Sequence, residues 1–453
     1  MAWPTRCWTD VTPNAKIFCN SPWYELQIYW DGSLGFCCQE AHKIYPESES
    51  AKYNIRNMSI SEWMDSEPMR QARLSMFGNE KNSFCTRCYN EEDHSGTSRR
   101  NRSNQKSVIF QRNFQESYDQ GPGRNKFESS RVRQGHHADL PVDLHIDLGN
   151  YCNLTCKMCN PRASSSIAVQ HVRWGMTDAQ QYVGTDWTRD TDLWQRTLRD
   201  LANIPRLKNV HFMGGETLLT PRFEEFLDFM IAQNRLDINI SFVTNGTHFI
   251  DRIMPKLARF RGVNIEVSIE SLTQHNAYQR QGTNTDQVMM HVKRYLDLTN
   301  EHMSLTVRPA ISALTIGTYH TLLAWCLQNN VVVKSLLCTQ PQHLNVVILP
   351  DAVKKHYSQR YHDFLARYDL ESLPVTTDYN ASDRNEIKKI IKNQVLQCLS
   401  VLATPRPEDA DACLGQMVYW CQRWDRVHGL DARTLYPELE EVFNLYHYDP
   451  LPQ

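Results

Sequence analysis

No apolar run in this chain approaches the ~20 residues that would cross a bilayer as a helix, so the pattern gives no reason to expect a transmembrane span. The opening, MAWPTRCWTD, lacks a basic segment followed by an apolar one. No secretory leader is therefore expected, and reducing cytoplasm is the expected compartment. Neither sign of charge dominates: 49 Lys and Arg stand against 51 Asp and Glu, a formal net charge of -2. The molecule as a whole then has no electrostatic pull toward a membrane surface or nucleic acid, and neither is an expected partner. Internal repeats and low-complexity tracts are also missing, which excludes a solenoid or a fibrous chain. The 453 residues are 41% hydrophobic and 22% charged, ordinary for a globular protein of two or three domains.

Cysteine is plentiful. Fourteen thiols in a reducing compartment make sense if many of them bind metal. Cys326, Cys338, Cys398, Cys413 and Cys421 are scattered among apolar residues and read as buried, inert thiols. Seven others fall into two spaced sets.

The first set is Cys152, Cys156 and Cys159, in the run CNLTCKMC. A cubane of four irons needs four ligands, and this compact C-x3-C-x2-C loop supplies three. One iron is then open to a small molecule, which makes a reaction centre rather than a wire. The loop follows an apolar-rich stretch, 142–148, that reads as a strand. Further strands are expected at 209–213, 238–244, 263–269, 304–311 and 331–337, with helical stripes between them. Leu193, Leu198 and Leu201 form one stripe; Phe223, Phe226, Leu227, Met230 and Ile231 form another. Alternation of this kind implies βαβ units, a parallel sheet and an open six-stranded barrel. In such a barrel the chemistry sits on loops after the strands. Gly214-Gly215-Glu216 follows the second strand, where two glycines let the backbone approach a ligand and a carboxylate can receive an ammonium group.

The second set lies near the amino end. Cys19, Gly32 and Cys37 have the spacing C-x12-G-x4-C, across two short strand signals joined at Asp31-Gly32, a hairpin signature. Cys85 and Cys88 add a C-x2-C pair. Four thiolates gathered by a hairpin and a loop suit either a [4Fe–4S] cluster or tetrahedral zinc. Cys38 adjoins Cys37 and competes for its place, and Cys7 has no assigned role. Two helices are expected around 59–63 and 69–76.

Four regions follow: a cluster-binding domain over 1–97, a basic connector over 98–139, a barrel core over 140–340 and a mainly helical extension over 341–453. The connector carries Arg99, Arg100, Arg102, Lys106, Arg112, Arg124, Lys126, Arg131 and Arg133. It reads as a solvated linker, or alternatively as a patch for an anionic partner.

Residues 142 to about 312 resemble the core of the radical S-adenosylmethionine (SAM) superfamily, on the cysteine triplet, the GGE run after the second strand and Asn245-Gly246 after the third. The amino-terminal spacing resembles the auxiliary-cluster module called SPASM, in its shortened form, twitch, here placed before the core rather than after it. The resemblance implies an α/β fold with a partial (β/α)6 TIM-like barrel. It implies that Gly214, Gly215 and Glu216 contact the methionyl amino group, that Asn245 follows as in relatives, that Ser268 and Glu270 in VSIESL meet the ribose, and that Arg280 lies near the methionyl carboxylate. The implied metal ligands are Cys152, Cys156 and Cys159 for a SAM-binding [4Fe–4S] cluster, and Cys19, Cys37, Cys85 and Cys88 for a second, auxiliary [4Fe–4S] cluster. The implied reaction is reductive cleavage of SAM to a 5′-deoxyadenosyl radical, which abstracts hydrogen from a peptide or protein side chain or a small molecule. The electron would come from a reductant such as flavodoxin or ferredoxin.

Two other classes compete. A non-catalytic iron–sulfur protein that transfers electrons or carries clusters would have no use for GGE or the strand-four residues. A zinc-dependent nucleic-acid binder would combine the amino-terminal thiols with the basic connector.

Overall fold

The computed structural model describes residues 16–95, 98–101, 103–104, 126–376 and 383–450. Its contacts divide the chain into two units. One comprises Met1–Gly149, Asp186–Phe212 and Ala232–Ile238; the other comprises Asn150–Thr185, Met213–Ile231 and Asn239–Gln453. Cys7, Arg102, Lys106, Arg112 and Arg124 lie outside the described residues, as does the Lys126 side chain.

In the first unit the expected hairpin forms. β1 (Glu25–Ile28) pairs antiparallel with β2 (Leu34–Gly35), Gln27 opposite Gly35. Between them Gly32 has φ +83, a turn conformation that favours glycine, and Asp31 Oδ1 accepts the Ser33 N–H at 3.0 Å. The hairpin is not a sheet of its own. β1 also runs parallel to β3 (Asp143–Asp147), with Leu26 beside Leu144 and Ile28 beside Ile146, and the order in this unit is β2-β1-β3-β4, β4 being Asn209–Met213. Leu26, Ile28, Leu144 and Ile146 are all buried on one face. The alternate residues Glu25, Gln27 and His145 are buried on the other. β1 is therefore buried on both faces.

The helices Ile60–Met64 and Glu67–Ser75 form where expected, the first opened by a Ser59–Glu62 capping box. Arg73, fully buried, donates to the carbonyls of Pro22, Met64 and Gly135. Its guanidinium thus ties three separate chain segments together. Helix Thr191–Ala202 buries Leu193, Leu198 and Leu201, with Asp190 accepting the Leu193 N–H at its start.

In the second unit β5 (Asn239–Thr244), β6 (Gly262–Val267), β7 (Met303–Val307) and β9 (Val332–Val333) are parallel neighbours in that order. Helix Pro221–Ala232 buries Phe223, Phe226, Leu227 and Met230 of its stripe. Two expected strands are broken. The run 304–311 divides into β7 and β8 (Ala310–Ile311) at Arg308-Pro309, because Pro309 has no N–H for the ladder. The run 331–337 divides into β9 and β10 (Leu336–Leu337), because the Ser335 N–H turns to the Gln394 side chain at 3.1 Å. β8 and β10 then pair with each other as a separate two-stranded sheet.

The carboxyl-terminal region is mainly helical, as expected: Asp351–Arg367, Arg384–Ala403 and Ala410–His428 are its long members. The fold is α/β, a mostly parallel sheet with helices between its strands. No described helix is long and apolar enough to cross a membrane.

Candidate functional site

The chain leaves β3 at Asp147 and reaches Cys152 five residues later. The loop that follows is held by backbone contacts rather than by regular structure. Thr155 N–H donates to the Gln281 carbonyl at 3.0 Å, and Lys157 N–H to the Gln279 carbonyl at 2.9 Å. Cys152 N–H donates to Ser165 Oγ at 3.2 Å, and Ser166 Oγ donates to the Cys152 carbonyl at 2.6 Å. Cys156 is buried, while Cys152 and Cys159 are half-buried. Burial pushes all three thiols up, Cys152 to about 11. Arg280 offsets this at Cys156 and Cys159 only in part, so the loop keeps its protons until a metal displaces them.

Gly214 and Gly215 have φ +82 and +58, which favours glycine at both. At Gly215 there is a second constraint, since a Cβ would lie 2.3 Å from the Tyr151 carbonyl oxygen. The glycine lets the loop after β4 press against the cysteine loop, where Glu216 N–H donates to that carbonyl at 2.7 Å. The Glu216 carboxylate turns inward and accepts from Thr244 Oγ1 at 2.7 Å, Asn245 N–H at 2.6 Å and Leu218 N–H at 3.1 Å. Burial raises its pKa against those three donors. Asn245 in turn donates its amide to Asn153 Oδ1 at 2.8 Å, and Asn153 donates to Thr247 Oγ1 at 3.0 Å. Glu216 and Asn245 thus brace the cysteine loop from behind. Asn153, Thr244 and Thr247 belong to this brace and carried no sequence signal beyond their polarity.

Glu270 and Arg280 are brought together. Arg280 Nε and Nη2 donate to the two Glu270 oxygens at 2.6 and 2.7 Å, and Nη1 lies 3.8 Å from Cys156 Sγ. Ser268, buried one residue past β6, has no hydrogen-bond partner for its hydroxyl among the described residues. Lys157 lies inside the loop itself. Its ammonium is buried without a hydrogen-bond partner, 4.1 Å from the Tyr278 ring and 4.5 Å from Trp424. Burial lowers its pKa to about 8.

Buried polar atoms without partners gather around this loop: Thr217 Oγ1 beside Glu216, then Gln279 Nε2 and Gln281 Oε1 on the segment that pairs with it. Orphaned groups of this kind are costly unless a ligand satisfies them. With three thiols and a free Ser268 hydroxyl, they fit a thiolate-held cluster with a polar ligand beside it.

The amino-terminal set also comes together. Cys19, Cys37, Cys85 and Cys88 are all buried and line one pocket with Phe36 and Phe84. Burial raises the Cys19, Cys85 and Cys88 thiols, Cys88 to about 12. The Glu40 carboxylate pins Cys37, accepting the Phe36 and Cys37 N–H groups at 2.7 and 3.2 Å. Cys38 does not line the pocket. A hydrogen bond with the Cys37 thiol, against the effect of burial and aided by Arg99 and His145, holds Cys38 well below the usual thiol range. Among the described residues no three Cys, His, Asp or Glu side chains gather closely enough to hold a single metal ion. Four buried thiols on one pocket are a donor set for an iron–sulfur cluster or for one tetrahedral zinc.

Arg99 and Arg100 overturn the expectation of a solvated start to the connector. Both line the thiol pocket. Arg100 is 3% exposed, paired with Glu92 at 2.5 Å and donating to the Phe18 carbonyl at 2.8 Å. Arg99 pairs with buried Glu25 at 2.7 Å.

Comparison with known proteins agrees with both halves of this geometry. The radical SAM superfamily matches residues 146–308, and SPASM, an iron–sulfur cluster-binding domain, matches residues 19–89. These matches imply a [4Fe–4S] cluster with SAM in the core and auxiliary iron–sulfur at the amino end. A "Tungsten-containing aldehyde ferredoxin oxidoreductase cofactor-modifying protein" of Pyrococcus furiosus is 27% identical over 123 residues, 27% of this chain and 28% of that protein. The chain thus spans little more than a quarter of the length of that curated relative. Among solved structures, SuiB of Streptococcus suis bound to S-adenosylmethionine is similar at 13% identity, covering 58% of each chain, with TM-score 0.34. The protein anSMEcpe with bound AdoMet is similar at 16% identity, covering 51% of this chain and 62% of that one, with TM-score 0.37.

Proposed function

Since this chain is a radical SAM enzyme that carries a SPASM domain ahead of its core, we propose that it oxidises a peptide or protein side chain by hydrogen abstraction, the amino-terminal site taking up the electron released. The observation that carries this reading is the pairing of a three-thiol loop with a separate four-thiol pocket in one chain. Cys152, Cys156 and Cys159 would hold the core cluster and leave one iron open, whereas Cys19, Cys37, Cys85 and Cys88 would fill every protein-held position of the auxiliary one. A saturated cluster cannot bind substrate through iron, so electron transfer is the role that fits it. A cluster and SAM bound at the three-thiol loop would supply the radical chemistry needed to take hydrogen from an unactivated C–H bond.

The chain's own contribution is orientation and the exclusion of water. The Glu216–Thr244–Asn245–Asn153 brace fixes the loop's shape. The Ser268 hydroxyl remains free to meet a ribose oxygen, and the Glu270–Arg280 pair presents Nη1 to the Cys156 side of the loop. A peptide substrate is favoured because modules of the SPASM type are frequent in enzymes that act on peptides. The relative described as modifying a cofactor supports a small-molecule substrate as the second reading.

The test is anaerobic. The protein is reconstituted, iron and sulfide are counted, and 5′-deoxyadenosine is assayed after dithionite and SAM are added. About eight irons per chain, with product that disappears in Cys156→Ala, is the expected result. No product, and no effect of SAM on the reduced cluster's EPR signal, would return the chain to the class of non-catalytic iron–sulfur carriers.

A further inference from the structure

Within the second unit, helices Ser165–Arg173 and Ala410–His428 carry an aromatic surface that the proposed chemistry does not use. Trp420 stacks on His171 with centroids 6.1 Å apart and planes at 19°, and lies 5.9 Å from Trp174. Arg423 covers both indoles, 4.7 Å from the Trp174 ring and 6.0 Å from that of Trp420, and donates to the Trp174 carbonyl at 3.0 Å. Tyr419, one turn before Arg423, is 51% exposed. His171, Trp174 and Trp420 are half-buried, and a part-exposed aromatic cluster of this kind marks a contact surface more often than an idle one.

Charge narrows the partner. Among the described residues Arg423 donates to the Tyr419 hydroxyl and the Trp174 carbonyl and to no other group. Neither it nor exposed Arg173 has a carboxylate partner among the described residues. Two guanidinium groups without a carboxylate partner, beside half-buried Trp174 and Trp420 and exposed Tyr419, are the composition of a binding hot spot for an acidic protein. Two cations are too few to track a nucleic-acid backbone.

The surface also leads somewhere. Trp420 stacks inward on Trp424, 5.8 Å away at 28°. Trp424 lies 4.5 Å from the unpartnered ammonium of Lys157, and Lys157 adjoins Cys156. The rings therefore run without a break from solvent to the cysteine loop.

We propose that this face receives an acidic one-electron carrier protein and that the electron for the core cluster enters through Trp420 and Trp424. One electron leaves the carrier, which is oxidised, and one arrives at the cluster, which is reduced; no bond or proton is exchanged. The proposal rests on the radical SAM reading.

The test uses the reconstituted holoenzyme and a bacterial flavodoxin in its hydroquinone form. Stopped-flow absorbance follows cluster reduction, and binding of oxidised flavodoxin is titrated separately at low and high salt. The variants are Arg173→Glu, the double variant Arg173→Glu/Arg423→Glu, and Arg259→Glu, an exposed site far along the chain, as control. The double variant should need roughly tenfold more flavodoxin for half-maximal reduction, and salt should weaken the wild-type dependence. Arg173→Glu, at a side chain with no hydrogen bond or ion pair among the described residues, should shift the same way by less. Dithionite reduction and the Arg259→Glu variant should stay at wild-type values. An unchanged flavodoxin dependence in both Arg173 variants overturns the proposal, as does an equal loss with dithionite in Arg173→Glu. Failure of the radical SAM reading would appear differently, as a cluster reduced normally by either donor that never cleaves SAM.

Discussion

Arg280 grips Glu270 with two parallel hydrogen bonds, 2.6 and 2.7 Å, while its third nitrogen lies 3.8 Å from Cys156 Sγ. Glu270 also accepts the Ala310 N–H at 3.1 Å. The pair therefore links the end of β6, the start of β8 and the cysteine loop within one unit. The arginine expected to receive a ligand carboxylate is already occupied by a carboxylate of the chain.

The Glu270 side chain is fully buried and that of Arg280 is 11% exposed. Removing one partner strands a buried charge. Glu270→Ala should cost about 3–5 kcal/mol of stability, measured by urea unfolding of the cluster-free chain. A loss under about 1 kcal/mol, the value of a surface pair, would mean that Arg280 finds water or another anion. Arg280→Lys keeps charge but not the fork, so it should recover only part of the stability.

Gly215 makes a second prediction. A Cβ there meets the Tyr151 carbonyl at 2.3 Å, and φ +58 is unfavourable to any L side chain. Gly215→Ala must push the cysteine loop away from the loop after β4. The expected outcome is loss of iron from the core site, with the amino-terminal iron retained, read as a fall from about eight to about four irons per chain. Full iron content with normal SAM cleavage would show that the loop has slack.

The cysteine loop and the glycine run were legible because their residues are consecutive and their chemistry needs no distant partner. The parallel strands β5 to β7 were legible from apolar runs. Their breaks were not, since the Ser335 N–H is captured by Gln394, far along the chain. The same limit hid the Lys157 cage, whose rings come from Tyr278 and Trp424. Arg99 and Arg100 misled for another reason. In a run of basic residues they read as solvated, and only the folded chain supplies Glu25 and Glu92 to receive them.

Cys37 and Cys38 are neighbours with different surroundings. Cys37 lines the four-thiol pocket and is pinned by Glu40, whereas Cys38 lies off the pocket, hydrogen-bonded to the Cys37 thiol with Arg99 and His145 near it. Cys37→Ser should remove about four irons per chain, and Cys38→Ser should retain them. Iron and sulfide counts on both variants decide this, with the core triplet intact as internal standard. The reverse result would move the auxiliary ligand to Cys38.

The last prediction concerns acid stability. His343 is 7% exposed and stacks at 20° on Trp420, with Trp424 also beside it. Burial lowers its pKa from an ordinary 6.5 to about 4, opposed only by a hydrogen bond with Gln416. In the unfolded chain the same imidazole protonates near pH 6.5. Between about pH 6.5 and 4 the unfolded state binds the extra proton, so the stability that neutral His343 allows is lost as pH falls through that window. The full effect is on the order of 3 kcal/mol. His343→Phe keeps a flat ring against Trp420 and removes the titration. Its unfolding free energy should fall less than wild type's between pH 7 and pH 4.5, measured by urea unfolding followed by circular dichroism. Equal pH dependence in both proteins would mean that His343 takes up its proton inside the fold, with the Trp420 and Trp424 rings accepting the imidazolium as they accept other cations.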